Sequence, residues 1–304
     1  MRIFLTGATG FVGGAVLDAL LDARHEVVAL VHDAEKAEAV RCPRCDPLVG
    51  DMTEPEGWVG AAAGCEAIVH AAQRSMGFPI TQEAVDATTD ADRRALDGFE
   101  EAVRTGGVDR IVYTSGLWSY GDHGDDWIDE SVPFRPQGID LKRVEREATL
   151  AEWSRTGFAH TCSLVLGNVY GRGGSFEGYV ERARQGEHNV IESGQSFMSP
   201  VHRRDVGIAY VRALELAPSG ERYNVCDDEP IRAIRHAELL CAAAGGPPPG
   251  NASFDDAAAA IGPLHARSLT QSIRMSNARF RSELGWQPRF STFEEGVAEA
   301  LRAS

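Results

Sequence analysis

"MRIFLTGATGFVGG" occupies residues 1–14. Residues 3–5 are bulky and apolar and read as a strand. Glycines follow at 7, 10 and 13, and Phe11-Val12 opens a helical pattern. Val12, Val16 and Leu20 fall on one stripe with Leu17 and Leu21 beside it, the spacing of a helix with one buried face. Strand, glycine turn and amphipathic helix in that order form the context of a dinucleotide-binding turn. Gly7 permits the tight turn, Gly10 lets backbone approach a pyrophosphate, and Gly13 lets the helix pack closely on the sheet. The helix start then offers unpaired N–H groups and a partial positive charge to phosphates. A glycine-rich turn with no ligand would explain the glycines but not the strand and helix on either side.

Working outward, strand-like runs recur at 26–31, 47–49, 67–70, 110–113 and 160–166, with helical patterns between several of them. That alternation predicts an α/β chain built on a Rossmann-type, doubly wound parallel sheet with helices on both faces. Phe293, Val297 and Leu301 stand four apart and predict a terminal helix. The Gly-Gly-Pro-Pro-Pro-Gly stretch at 245–250 reads as a linker. At 304 residues the chain has room for one large domain or two smaller ones.

Composition removes several functions. The chain is 43% apolar, yet no run of about 18 uncharged apolar residues predicts a membrane span. Met1-Arg2 leads straight into a strand with no signal-peptide core, so a cytoplasmic protein is expected. A net charge of -15 argues against nucleic acid as a partner, because phosphates would be repelled. Only Cys42-Pro-Arg-Cys45 has metal or redox spacing, and no second pair supplies the rest of a site of about four ligands. No metal is expected, and the six cysteines fit a reducing compartment. Lys36 and Lys142 are the only lysines, which singles out both.

The turn has the form Thr6-Gly-Ala-Thr-Gly-Phe-Val-Gly13, and further segments follow it in order: "GDMTE" at 50–54, "AIVHAAQ" at 67–73, "RIVYTSG" at 110–116, "LGNVYGRGG" at 166–174, "SPVHRRDVGIAYVRALE" at 199–215 and "LGWQPRF" at 284–290. Together they resemble the extended short-chain dehydrogenase/reductases, the branch of NAD(P)-dependent epimerases, dehydratases and reductases. The resemblance implies that Gly7, Gly10, Phe11, Val12 and Gly13 hold the cofactor phosphates. It implies Asp51 and Met52 beside the adenine, Ala71 and Ala72 beside the cofactor, and the segment with Leu166 and Asn168 beside the nicotinamide. It also implies a Rossmann domain over 1–166 and a mainly substrate-binding lobe over 167–304, with about 201–226 returning to the sheet. A small-molecule substrate would lie between them, and a homodimer would form through helices near 86–105 and 139–156.

The second strand and its exit read Glu26-Val-Val-Ala-Leu-Val-His-Asp33. An NAD site places a carboxylate at the strand end to bind the ribose 2′-OH. Val31 stands there, then His32, with Lys36 nearby, so the expected cofactor is NADP rather than NAD. Asp33 keeps NAD open, since a shift of one residue would bring it to the ribose.

The usual chemistry of this superfamily rests on a tyrosine four residues before a lysine, which lowers the phenol pKa and holds the ribose. Here Gly138 precedes Lys142 by four and Ile139 precedes Arg143 by four. None of the tyrosines at 113, 120, 170, 179, 210 and 223 fills the slot. Gly116 stands where a serine or threonine is expected, four before Tyr120, and Thr114 and Ser115 lie just upstream. Losing a positioned acid costs about 10²–10⁴-fold, roughly 3–5 kcal/mol. Reduction of an activated C=C or C=N bond would suffer less from that than alcohol dehydrogenation.

The candidate catalytic residues are therefore Ser115, at the carboxyl edge of its strand, Tyr120, beside Trp118, and Lys142. Lys142 either reaches the nicotinamide ribose or is a solvated cation on an ion-paired helix face. His202 is read as structural or substrate-facing, Asp205 as the cap of a helix starting near Val206, and His70 as packing. Trp118, Trp127 and Phe134 suggest an apolar substrate or anchor a loop. Three functions stay open. The first is an NADP-dependent oxidoreductase with an altered proton donor, preferred on the usual employment of the fold. The others are a non-redox isomerase, cyclase or lyase on the same scaffold, and a nicotinamide-nucleotide sensor without turnover.

Overall fold

The computed structural model describes residues 1–139 and 143–302. Its centre is a seven-stranded sheet: β1 (Arg2–Thr6), β2 (Glu26–Val31), β3 (Cys45–Val49), β4 (Ala67–His70), β5 (Arg110–Gly116), β6 (His160–Leu166) and β7 (Glu221–Val225). The spatial order is β7-β6-β5-β4-β1-β2-β3, and every pair is parallel. The order reverses between β1 and β4, whose register ends with Thr6 opposite His70. Doubly wound sheets bind ligands at the carboxyl ends of the strands at such a reversal, and Gly7 follows Thr6 there.

Side chains alternate across the sheet. Ile3 and Leu5 pack on one face with Val16, Leu20 and Tyr210, from α1 (Phe11–Asp22) and α7 (Arg203–Leu216). Phe4 packs on the other face with Trp58, Ile68, Phe99 and Trp153. Phe99 lies on α4 (Gln82–Thr105) and Trp153 on α5 (Arg143–Arg155). Ile3, Phe4 and Leu5 are fully buried. That two-sided burial is why these strands read as unbroken apolar runs rather than alternating ones.

The remaining helices on the sheet side are α2 (Ala34–Val40) and α3 (Val59–Ala63). Beyond β6 come α6 (Gly174–Gln185), α8 (Ala233–Ala244), α9 (Phe254–Ile261), α10 (Pro263–Thr270), α11 (Ala278–Leu284) and α12 (Phe293–Arg302). Phe176 and Val180 of α6, Leu240 of α8 and Phe293 and Val297 of α12 form a separate apolar cluster. The stretch expected as a linker at 245–250 connects α8 to a short strand, and its two ends belong to those elements. Gly245 closes α8 in the left-handed region at φ 76°, and Gly250–Ala252 pairs with Asn189–Ile191. Among the described residues no helix is long and apolar enough to cross a membrane.

Candidate active site

Gly7 adopts φ +80°, and a Cβ there would lie 2.7 Å from the Ala72 nitrogen. A side chain is excluded twice, by torsion and by the neighbouring strand exit. The Gly10 N–H donates to the Gly7 carbonyl at 2.8 Å and closes the turn. A Cβ on Gly13 would run into that same carbonyl, so the third glycine brings α1 down onto the turn. The helix starts with Gly10 as its N-cap. No side chain caps it and its first turn carries no acid, so its first N–H groups face outward with their partial positive charge.

A cavity of about 690 Å³ opens over this turn. Gly7, Gly10, Phe11 and Val12 form its floor, Ala71 and Ala72 one wall, and His32, Asp51 and Met52 the end beside β2. Lys36, Arg74, Arg143 and Arg146 also line it. In a chain of net charge -15 this is a local reversal of sign. The acids nearby are engaged. Asp51 accepts from the Thr53 N–H and hydroxyl, each at 2.8 Å. The backbone hydrogen bond from Thr53, the largest influence lowering its pKa, together with nearby charges, holds its carboxyl below the usual range despite partial burial. Glycine floor, bare helix start and cationic rim together fit a dinucleotide diphosphate.

Beneath the cavity lies a buried polar relay. The Ala72 N–H donates to Thr6 Oγ1 at 3.3 Å, and Thr6 Oγ1 meets His70 Nδ1 at 2.8 Å. His70 Nε2 meets Asp92 Oδ1 at 2.7 Å, and the Tyr113 hydroxyl donates to Asp92 Oδ2 at 2.6 Å. Arg146 Nε donates to the Tyr113 oxygen at 3.0 Å and pairs with Asp92. Burial alone would raise the Asp92 carboxyl. The hydrogen bond and charge of His70, with the charges of Arg146 and Arg143, hold it far below the usual carboxylate range. The relay joins α4 and α5 to the ends of β1 and β4 and to the middle of β5.

A second cavity, about 380 Å³, adjoins the first. Val12, Gln73, Thr114 and Arg143 line both. Arg143 Nη1 donates to the Thr114 carbonyl at 2.9 Å, which fixes the guanidinium at the junction. Ser115 lies on this second wall, 1% exposed, and its Oγ makes no hydrogen bond. Trp118, Phe176, Tyr179, Met198 and Leu240 give the wall a mainly apolar character.

Residues 3–226 match the model of the NAD dependent epimerase/dehydratase family. The chain belongs to that family. It is 29% identical over 309 residues to the 3-diazoavenalumate denitrifying reductase of a Streptomyces species, covering 98% of this chain and 99% of the relative. Its fold is that of a dTDP-glucose 4,6-dehydratase from Streptomyces venezuelae solved with NAD and DAU bound (TM-score 0.84, 20% identity, 99% of this chain and 96% of the other). The human epimerase family protein SDR39U1, isoform 2, solved with NADPH, is similar at a TM-score of 0.81 with 19% identity over 100% of both chains.

Within this family frame the sequence-derived residues separate. Gly7, Gly10, Phe11, Val12, His32, Asp51, Met52, Ala71 and Ala72 line the first cavity, while Gly13 is buried behind the turn. Leu166 and Asn168 line the second cavity with Ser115. Lys142 lies outside the described residues. Tyr120 is on neither wall. It is fully buried, its hydroxyl donates to Asn224 Oδ1 at 2.7 Å, its ring packs edge-on against Phe134, and burial pushes its pKa up. It braces the loop and is not placed to give a proton to a ligand.

Other readings also change. Asp33 accepts from the Lys36 N–H at 2.8 Å as the N-cap of α2 and is not on the cavity wall. His202, not Asp205, caps α7, accepting from the Arg204 N–H at 3.3 Å. Asp205 sits inside that helix and accepts from the Arg289 and Phe290 N–H groups at 2.9 and 3.2 Å. His70 is a relay member as well as packing. Trp127 is 51% exposed under Arg274, Phe134 backs Tyr120, and only Trp118 of the three aromatics reaches a cavity. The sequence reading missed Arg74, Arg146 and Asp92. The only signal was Arg143 and Arg146 three apart on one helix, hidden in a charged run.

Proposed function

We propose that the chain is an NADP-dependent reductase of a small to medium, largely apolar organic molecule whose acceptor bond does not require a tyrosine proton. Residues 167–304, apart from about 201–226, act mainly as the substrate lobe. The observation that carries this reading is the shared lining. A dinucleotide laid over Gly7–Gly13 reaches the four residues that also open the apolar cavity, where Ser115 Oγ waits without a partner.

NADPH in the first cavity would supply hydride and leave as oxidised NADP. The helix start over Gly10–Gly13 holds the diphosphate, and Arg143 stands at the junction toward the substrate cavity. His32, Lys36 and Arg74 face the 2′-phosphate end, where Asp33 caps α2 through one oxygen and lies 3.6 Å from Lys36 Nζ through the other. The choice of NADP over NAD rests on Val31 standing where β2 would end in a carboxylate and on the cations Lys36 and Arg74. On the substrate side, the Ser115 hydroxyl donates to the oxygen or nitrogen on which negative charge develops, and the apolar wall excludes water. A hydroxyl is a poor acid, so the suited acceptors are activated C=C or C=N bonds, which need little proton transfer at the moment of reduction. The relative named a denitrifying reductase is in keeping with a reduction outside carbonyl chemistry.

Calorimetry with NADPH and NADH, followed by loss of nicotinamide absorbance with a panel of carbonyl, enone and imine compounds, tests the reading. NADPH should bind at least tenfold tighter than NADH, and Lys36→Ala should erase most of that preference. Enones or imines should turn over faster than simple ketones. Tight NADPH binding with no turnover across the panel would favour a sensor. Turnover with unchanged nicotinamide absorbance would favour an isomerase or lyase.

A further inference from the structure

The lining of the second cavity includes polar atoms with no assigned task. Three side-chain atoms on its wall are buried and make no hydrogen bond among the described residues: Ser115 Oγ, His265 Nδ1 and Gln271 Oε1. Ser115 comes from β5. The other two come from α10 and the residue that ends it. His265 is 6% exposed and Gln271 5%. Buried polar atoms are nearly always paired, so unpaired ones gathered on one cavity wall point to a bound partner.

Neighbouring polar groups show what is different about these. Ser268, on the same helix, donates to the Leu264 carbonyl at 3.0 Å and accepts from the Ile139 N–H at 3.2 Å, so its hydroxyl is fully employed. Asn168 accepts from the Ser199 N–H at 3.0 Å. Gln271 turns its amide nitrogen toward the Arg267 carbonyl at 3.4 Å, which leaves the amide oxygen, an acceptor only, for the cavity. The His265 ring is held between Phe78 and Trp118, with centroids 5.5 and 5.9 Å away. Burial lowers its pKa, so at neutral pH the ring offers one donor and one acceptor. An acceptor and such a ring on the lining of one cavity are both served by a group that can donate and accept: a neutral hydroxyl. A carboxylate would face the Gln271 oxygen with no donor, and an ether cannot donate at all.

We propose that His265 and Gln271 recognise a hydroxyl on a largely apolar substrate whose reacting group lies at Ser115. The proposal rests on the reductase reading above. It makes α10 the element that sets specificity, by hydrogen bonds remote from the bond being reduced. Sites built to pair a substrate hydroxyl reject analogues without one far more strongly than apolar pockets reject a missing methylene.

The test uses the full chain saturated with oxidised NADP, so that no reduction occurs. Naphthaldehydes carrying a hydroxyl at each open ring position, and their methyl ethers, are titrated by calorimetry. At least one hydroxyl isomer should bind tenfold or more tighter than its ether. In Gln271→Leu and His265→Phe that preference should fall below threefold, with binding of unsubstituted naphthaldehyde retained. His265→Asn, which can still donate and accept, should keep part of the preference, and NADP heat in each variant reports that it is folded. Equal binding of hydroxyl and ether in the unaltered chain, survival of the preference in both variants, or NADP binding with no naphthaldehyde binding would each overturn the proposal. Absence of NADP heat would instead overturn the reductase reading.

Discussion

Replacing Asp92 by asparagine keeps the shape of the side chain and removes its charge. The wild-type carboxylate receives the Tyr113 hydroxyl at 2.6 Å, meets His70 Nε2 at 2.7 Å and pairs with Arg146. An asparagine oxygen can accept from one of the first two, and its NH₂ then faces the other donor. One buried donor is orphaned, at about 1–3 kcal/mol, and Arg146, 9% exposed, loses its counter-charge. Removing one member of a buried pair costs about 3–5 kcal/mol. These overlap, because the groups share one network, so about 3–5 kcal/mol is the expected total. For a chain of 304 residues that is a fall in Tm of about 6–10 °C, at about 2 °C per kcal/mol.

The pH dependence has a definite sign. The Asp92 pKa is depressed in the folded state, so its contribution is present above the ordinary aspartate value of about 3.9 and is lost as pH falls toward the folded value. Thermal melts of the two proteins should therefore run parallel from about pH 5 to 8 and converge below about pH 4. Asp90→Asn, on the same helix but in exposed pairs with Arg93 and Arg94, should leave the melt unchanged. An Asp92→Asn protein that melts within about 2 °C of wild type at pH 7, or a gap that widens in acid, would refute the relay.

Gly13→Ala places a methyl group against the Gly7 carbonyl and should weaken NADP binding at least tenfold by calorimetry; unchanged heat would show that the turn does not hold the diphosphate. Ser115→Ala should lower kcat by about 10²-fold with cofactor affinity intact, and because the lost hydroxyl has no partner the Tm should not fall; a lowered Tm with full activity would mean a structural serine. Burial, then the charge of Asp205, pushes Asp227 up to about 8. The folded state then holds a proton that the unfolded state has released, so stability declines as pH rises from about 4 to 8, by up to about 1.4 kcal/mol per unit. Asp227→Asn should flatten that decline in urea titrations at pH 5, 6.5 and 8, and parallel curves would remove the argument.

How far the sequence speaks for the structure depends on what surrounds each residue. The runs at 26–31, 67–70 and 160–166 coincide with β2, β4 and β6, because strands buried on both faces need apolar side chains throughout. β5 was expected at 110–113 and runs on to Gly116, since Thr114, Ser115 and Gly116 are held as strand by pairing with Leu164, Val165 and Leu166 rather than by their own preference. β7, Glu-Arg-Tyr-Asn-Val, carries no apolar run. Its Asn224 is buried because Tyr120, Glu130 and the Ile128 carbonyl bond it. Asp92 was illegible for the same reason. It stands in the run Asp-Ala-Asp-Arg-Arg, and nothing local separates it from the exposed Asp90 two residues earlier.

The missing tyrosine is part of this same logic of distant partners. Gly138 precedes Lys142 by four residues, and a Cβ there would run into Ser268 Oγ and come within 3.2 Å of the Leu264 carbonyl. The space a larger side chain would need at that position is filled by α10. Its contact with 138–139 is cemented by the bond from the Ile139 N–H to Ser268. Glycine at 138 and helix α10 therefore require each other, although more than 120 residues separate them. The helix that fills the space beside Gly138 is the one that carries His265 onto the second cavity and ends at Gln271. On β5, Thr114 lines both cavities with its hydroxyl engaged by the His70 carbonyl, and Ser115 carries an unpaired hydroxyl on the second cavity. A site so arranged suits an electrophile held accurately and activated weakly, which is why the reactivity of the substrate, more than the acidity of any side chain, should govern the rate.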